Sequence, residues 1–335
     1  MKLNFLQKLI LLINILLLIF QLMLMGSIPS LFEFSILNLF VPIVVLINIG
    51  FFIYWLLRSK WVFLLFMVSF LIGYGEWGLL YQFPRTLIHK STNTFKVMTY
   101  NVRLFNKFDW IKEANVSKEI ERFISQEQPD IICFQEYSKS EAPTLSSYPY
   151  SYIQPIQANG KSEIAIFSKF PITNSGYINF ENSTNSGIFS DIEHRGKIAR
   201  VYNLHLESLR INFKDTLITQ ANSDGLQLKF NQVFKKQLEQ IKQFEEVDQS
   251  NKYPLIICTD LNNSQFSSIY RTLKKGRLDT FKQAGTGLGT TFQFSFFPLR
   301  IDFILIDPTF KVNNFESYDV NLSDHLPIMT TLAWD

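Results

Sequence analysis

Hydrophobic and polar positions divide the chain into two stretches of different character. Residues 9–25, 34–57 and 61–81 are three apolar runs almost free of charge. Their lengths approach or reach the roughly 20 residues that a helix needs to cross a bilayer. They predict a membrane anchor of about three transmembrane helices over residues 1–84. A cleaved signal peptide would explain only the first run. No small-residue cleavage site follows that run, and no cysteine follows Met25 for lipidation. Glu76, near the end of the third run, leaves two readings open, a third crossing or a re-entrant segment.

A polar linker at 85–94 separates the anchor from a chain of shorter patterns. Residues 95–100 read as a strand ending at Asn101. Val116, Ile120, Phe123 and Ile124 recur at helical spacing over 116–128, and Pro129 stops that helix. Residues 130–136 then form a nearly continuous apolar strand, as in a sheet covered on both faces. The pattern returns later, with Val233, Phe234, Leu238, Ile241 and Phe244 on one face of a helix at 230–247 and a buried strand at 254–260. Further strands are predicted at 162–167, 187–192, 197–206, 290–294, 300–305 and 328–333. Residues 138–160, 174–190 and 207–228 read as loops. Strands that outnumber a few long helices predict an α/β domain over 95–335, built of two packed sheets with helices outside.

Charge changes the picture in two ways. Residues 1–90 hold six Lys or Arg and two Asp or Glu, which from the chain's 32 and 29 leaves 26 and 27 for the remainder. The slight basicity therefore belongs to the anchor, and a near-neutral soluble domain argues against tight binding to nucleic acid. Lys2 and Lys8 precede the first run and Arg58 and Lys60 separate the second from the third, whereas the first connection holds only Glu33. The positive-inside rule then puts the N-terminus and second loop in the cytoplasm and the soluble domain outside it. Cys133 and Cys258 each lie inside an apolar strand and read as buried free thiols, a bridge requiring those two strands to be close.

Polar residues set at the ends of apolar strands carry the chemistry, since a rigid scaffold presents reactive groups where strands give way to loops. Asp260-Leu261-Asn262 places two short polar side chains two residues apart. The aspartate can take or orient the proton of an attacking water and the amide can donate to a phosphate oxygen, or the pair can simply form an Asx turn. Glu136 ends an otherwise apolar strand, so its carboxylate is either solvated or bound to a hard cation such as Mg²⁺. Asp324 and His325 are adjacent and point apart on an extended chain, which makes Asp302 the better partner for His325 and leaves Asp324 to a metal. His205 could donate to a leaving group or a non-bridging oxygen. His194, in Glu193-His194-Arg195-Gly196, reads as a turn residue.

The order Asn101, Glu136, His205, Asp260-x-Asn262, Asp302, Asp324-His325 resembles the endonuclease/exonuclease/phosphatase superfamily from residue 95 to the C-terminus. That resemblance implies a four-layer sandwich of two mixed β-sheets flanked by helices. It also implies Mg²⁺-dependent cleavage of a phosphate ester, with Mn²⁺ as a substitute, by a directly activated water. Carried over residue by residue, Glu136 and Asn101 would bind or support the metal, with Asp324 completing that site. Asp260 would position and deprotonate the water, Asn262 would contact the phosphate and Asp302 would orient His325. His205 matches a histidine of the deoxyribonuclease-like and sphingomyelinase-like branches that abasic-site endonucleases lack. Two positions depart from the pattern: Thr259 stands where the superfamily usually has Gly, and Arg103 where abasic-site endonucleases tend to have an acid. Arg103 offers a fixed positive charge for phosphate.

The expectation is thus an integral membrane phosphodiesterase or phosphomonoesterase whose catalytic domain lies outside the cytoplasm. Its partners would be the lipid bilayer and a phosphate-ester substrate such as a phospholipid headgroup, a nucleotide or a nucleic acid. An extracytoplasmic nuclease is the alternative. A catalytically inactive membrane-anchored binding module is the third reading, against which stands the complete set of catalytic residue types.

Overall fold

The computed structural model describes residues 3–26, 37–58, 60–85, 93–112, 115–156, 162–209, 223–292 and 298–334, with the backbone alone for 223–227. Glu33, most of the 85–94 linker and parts of the predicted loops 138–160 and 207–228 and of the predicted strand 290–294 lie outside the described residues.

Twelve strands are present among the described residues: β1 (Thr94–Asn101), β2 (Ile131–Tyr137), β3 (Tyr150–Pro155), β4 (Glu163–Ser168), β5 (Ile172–Asn179), β6 (Ser186–His194), β7 (Lys197–His205), β8 (Leu255–Asp260), β9 (Leu278–Asp279), β10 (Asp302–Ile306), β11 (Lys311–Ser317) and β12 (Ile328–Ala333). They form two six-stranded sheets, ordered β11-β12-β1-β2-β4-β3 and β5-β6-β7-β8-β10-β9. Each sheet is mixed in the same way, with one parallel pair at its centre, β1 with β2 and β7 with β8, and antiparallel neighbours on both sides.

Alternation along the strands explains why the sheets stack. Val97, Ile131, Cys133, Ile164 and Ile166 of the first sheet share one buried cluster with Ile188, Val201, Ile256, Cys258 and Ile304 of the second. The residues between them point outward and meet helices. On the first sheet Met98, Ile132 and Phe134 pack with Val116, Ile120, Phe123 and Ile124 of the helix Val116–Glu127. Asn115 caps that helix through Lys118 N–H, and Gln128, left-handed at φ 51°, ends it. On the second sheet Tyr202, Leu204 and Ile257 share a cluster with Phe234, Ile241 and Phe244 of the helix Ser223–Asp248. Cys133 and Cys258 are both buried and free, and they face each other across the interface between the sheets.

A buried amide ties the two sheets together across that interface. Asn203 of β7 donates to the carbonyls of Phe134 and Ala165 in the opposite sheet and accepts from Gln135 at 2.6 Å. Buried carbonyls left unpaired cost about 1–3 kcal/mol each, so this side chain fixes the sheets at one relative height.

Four strands escape the sequence pattern. β3, β5 and β11 are outer strands of their sheets with mostly exposed or half-exposed residues, and β9 has two residues, so none carries a sustained apolar run. The strands within the predicted loops 138–160 and 174–190 are therefore corrections to that reading. His194, read as a turn residue, is instead the last residue of β6, paired with Lys197, and the tight turn runs through Arg195 and Gly196, both at positive φ.

In the N-terminal region the helices Phe5–Leu24 and Leu37–Leu57 are each long and apolar enough to cross a membrane. The third apolar run is not one straight helix. It breaks at Gly73, where Trp61–Ile72 and Tyr74–Leu80 meet at 82°. Gly73, Gly75 and Gly78 weaken helix continuity there, and Glu76 lies in the second piece. Asn48 on the second helix donates to Gln21 at 2.9 Å and accepts from Asn14 at 3.4 Å, joining the first two helices by amide pairs buried from their apolar surroundings.

Candidate active site

Strand direction gathers the polar series at one edge of the sandwich. β1 and β2 are parallel, as are β7 and β8, so Asn101, Glu136, His205 and Asp260 all sit at or near C-terminal ends. β10 runs antiparallel to β8, which brings its first residue, Asp302, directly opposite Asp260, while His205 is the register partner of Asp260 on the other side. Asn101 joins the two sheets, donating to Asp260 Oδ2 at 2.9 Å and to Glu136 Oε1 at 3.3 Å.

Glu136 owes its aim to an irregular backbone. The β2–β4 register slips between Phe134 and Tyr137, and Glu136 adopts φ 47°. A left-handed non-glycine residue costs on the order of 1–3 kcal/mol, and such bulges re-aim a side chain. Gln135 turns into the interface between the sheets, bonding Thr99 and Asn203, while the Glu136 carboxylate stays about one-third exposed at the rim.

Asp260 is fully buried. Its Oδ1 accepts from the Asn262 backbone N–H at 2.9 Å, so the Asx turn weighed from the sequence forms without removing the carboxylate from the site. Asn262 itself is left-handed at φ 49° and donates its amide to Leu206 O at 3.0 Å. Two histidines flank the Asp260 carboxylate, His205 Nε2 at 3.5 Å and His325 Nε2 at 3.7 Å from Oδ2. His205 is buried with neither ring nitrogen hydrogen-bonded, which leaves two polar atoms without partners at the centre of the site.

His325 Nδ1 lies 3.0 Å from Asp302 Oδ2, as its sequence position suggests. Burial opposes charge on this imidazole, but Asp302, Asp260 and Asp324 outweigh it and raise the ring to about 10. Burial also raises the Asp302 carboxyl, to about 6, with Asp260 adding to the rise and His325 and Thr291 opposing it. Between those values the pair is an imidazolium held by a carboxylate.

Asp324 is placed differently from the two buried central acids, Asp260 and Asp302. It sits 3.4 Å from Arg103 Nε at the rim, both side chains being about one-third exposed, and the Arg103 guanidinium lies over the Trp110 ring at 4.2 Å. Asp260, Asp302 and His325 can each offer a ligand atom within 4.8 Å of the others, whereas Asp324 and Glu136 stand outside that group. Three further residues support the site. Ser323 donates to Asn101 O at 2.9 Å, the Thr291 hydroxyl accepts from the Ile301 and Asp302 amides, and the Phe292 ring packs edge-on against His325 at 4.9 Å. Each depends on contacts remote along the chain.

The sequence model of the Endonuclease/Exonuclease/phosphatase family matches residues 98–325, a span containing every residue of the site. No curated protein matches the chain. Solved structures do. An endonuclease/exonuclease/phosphatase family protein from Bacteroides thetaiotaomicron aligns with a TM-score of 0.56 at 20% identity, covering 73% of this chain and 100% of its own. A mannosyl-6-phosphatase from the same organism aligns at 0.53 and 19% identity over 72% of this chain and 100% of its own. The human Nocturnin catalytic domain with bound sulfate anion aligns at 0.53 and 18% identity over 72% and 94%. At these identities the likeness is one of fold.

Proposed function

The chain belongs to the endonuclease/exonuclease/phosphatase family and is a phosphoric ester hydrolase, and on that premise we propose that it is a membrane-tethered phosphodiesterase or phosphatase working with Mg²⁺. The observation that carries the reading is the convergence of Asp260, Asn101, His205 and the Asp302–His325 pair at the junction of the two sheets.

The donor set fits a hard divalent cation. Among the described residues, Glu136, Asp260, Asp302 and Asp324 face His325 and Arg103 as standing positive charges, and the carboxylates offer oxygens rather than thiolates. Glu136 and Asn101 would hold the ion, with Asp324 completing the site on release from Arg103. When bound, Mg²⁺ or Mn²⁺ polarises phosphoryl oxygens and offsets the carboxylate charge.

The chain's own groups account for the remaining chemistry. Asp260 accepts a proton from the attacking water, its carboxylate held by Asn101 and by the Asn262 N–H. His325, protonated through Asp302, donates to a non-bridging oxygen as charge builds on it. His205 has a free nitrogen for the leaving oxygen. Asn262 contacts the phosphate by exchanging its bond to Leu206 O for one to substrate. Arg103 supplies a rim charge stacked on Trp110.

This arrangement predicts a broad pH profile. Activity should fall below about 6 as Asp302 is protonated and fall again towards about 10 as His325 loses its proton. Asp302→Asn removes the charge that raises the imidazole, so the alkaline limb should move to lower pH. An alkaline limb unchanged in Asp302→Asn would remove His325 from this role.

The N-terminal helices supply the tether, with residues 1–84 as anchor and 95–335 as catalytic domain. The C-terminal end of the first helix and the N-terminal end of the second share a buried cluster with the second sheet's helices, so Lys8, Arg58 and Lys60 lie at the far ends. With that basic end cytoplasmic, the catalytic domain lies outside. A periplasm-dependent phosphatase reporter fused at the C-terminus should be active in bacterial cells. An inactive reporter alongside a fluorescent cytoplasmic one at the same position would reverse the orientation.

A further inference from the structure

Resting on the phosphoesterase and tether just proposed, we infer that the ester cleaved at this site is carried by an amphiphile seated in the enzyme's own bilayer. The support is where the anchor meets the catalytic domain. The loop that follows β8 from Asp260 bonds the anchor twice, Ser264 Oγ donating to Asn38 O at 3.3 Å and Gln265 Nε2 to Leu79 O at 3.2 Å. The segment leading into Asp302 of β10 is covered by the anchor as well. Leu39, in the first turn of the second membrane-length helix, forms one buried apolar cluster with Leu299 and Ile301, and Phe40 and Phe292 pack against it. Both loops lie at the strand ends that carry the site, so these contacts fasten the anchor at the catalytic edge of the sandwich, beside those it makes with the second sheet's outer helices.

Few atoms separate the two. Ile301 is bonded to Asp302 in the chain, and Phe292 lies against the His325 ring. Leu39 is therefore one packed side chain removed from the catalytic pair, a separation of about 10–15 Å by contact and Cα spacing. The polar headgroup layer adds roughly 5–8 Å on each side of the hydrocarbon core. A phosphate in that layer can reach the site with its acyl or alkyl chains still in the membrane. The rim agrees: Phe108 and Trp110, on the loop that follows β1, are 52% and 42% exposed beside Arg103. Exposed aromatic rings are suited to the membrane–water interface.

The test uses the full chain in phosphatidylcholine vesicles with Mg²⁺ and two diesters sharing one leaving group, hexadecyl p-nitrophenyl phosphate and ethyl p-nitrophenyl phosphate. The hexadecyl ester should be hydrolysed at least about tenfold faster when it resides in the enzyme's vesicles than when the same amount is supplied in separate protein-free vesicles. Its rate should follow its mole fraction in the membrane and not its bulk concentration. Phe108→Ser should lower hydrolysis of the hexadecyl ester severalfold and leave that of the ethyl ester unchanged. Good turnover of the ethyl ester, with the hexadecyl ester untouched in the enzyme's own vesicles, would overturn the inference and leave the phosphoesterase standing. Failure on both esters would take down the phosphoesterase reading itself.

Discussion

Asp260→Asn in the full-length chain should lower kcat for bis-p-nitrophenyl phosphate by about 10³–10⁴-fold, the upper part of the range that general-base catalysis supplies. The expectation follows from the position of this carboxylate. It is completely buried at the meeting point of both sheets, bonded by Asn101 from one side and by its own loop from the other, with His205 and His325 against the same oxygen. The amide keeps the size and one acceptor oxygen, so one of the two bonds, from the Asn262 N–H to Oδ1 or from Asn101 to Oδ2, can persist. The proton-accepting oxygen is what disappears. KM should change little, because Asn262 and Arg103 remain to meet the phosphate. A variant that keeps more than about a tenth of wild-type kcat would assign the base to another residue, since one power of ten corresponds to only about 1.4 kcal/mol.

Glu136→Gln should act on metal requirement rather than on the proton. Its carboxylate is held at the rim by a left-handed backbone that the fold maintains against strain, and Asn101 is its neighbour. The Mg²⁺ concentration giving half-maximal activity should rise by at least about 10–100-fold, the loss that outer partners of a metal alone can cause. Part of the rate should return at high Mg²⁺. A half-saturating Mg²⁺ concentration equal to that of wild type would move the metal to the inner group of Asp260, Asp302 and His325.

How far the site could be read from the sequence depended on whether each residue's setting was local. Asn101, Glu136, His205 and Asp260 each close an apolar run, and the nearly continuous burial of those runs made both the strands and their ends visible. The Asp302–His325 partnership followed from the opposed directions of Asp324 and His325, and the structure brings that pair to 3.0 Å. The turn that tilts Glu136 was invisible, because nothing in Phe-Gln-Glu-Tyr marks the second of two polar residues for positive φ. The Arg103–Asp324 pair joins residues over two hundred positions apart and was equally hidden. β3 and β5 were lost in loops because outer strands need bury little. The break at Gly73 lay behind an unbroken apolar run, since hydropathy reads length and not direction, and Glu76 alone opened the re-entrant reading.

Metal dependence tests the central claim most directly. The full-length chain, stripped with EDTA and assayed on bis-p-nitrophenyl phosphate, should be inactive, and added Mg²⁺ or Mn²⁺ should restore hydrolysis to wild-type protein but not to Asp260→Asn. Undiminished hydrolysis in EDTA would contradict it.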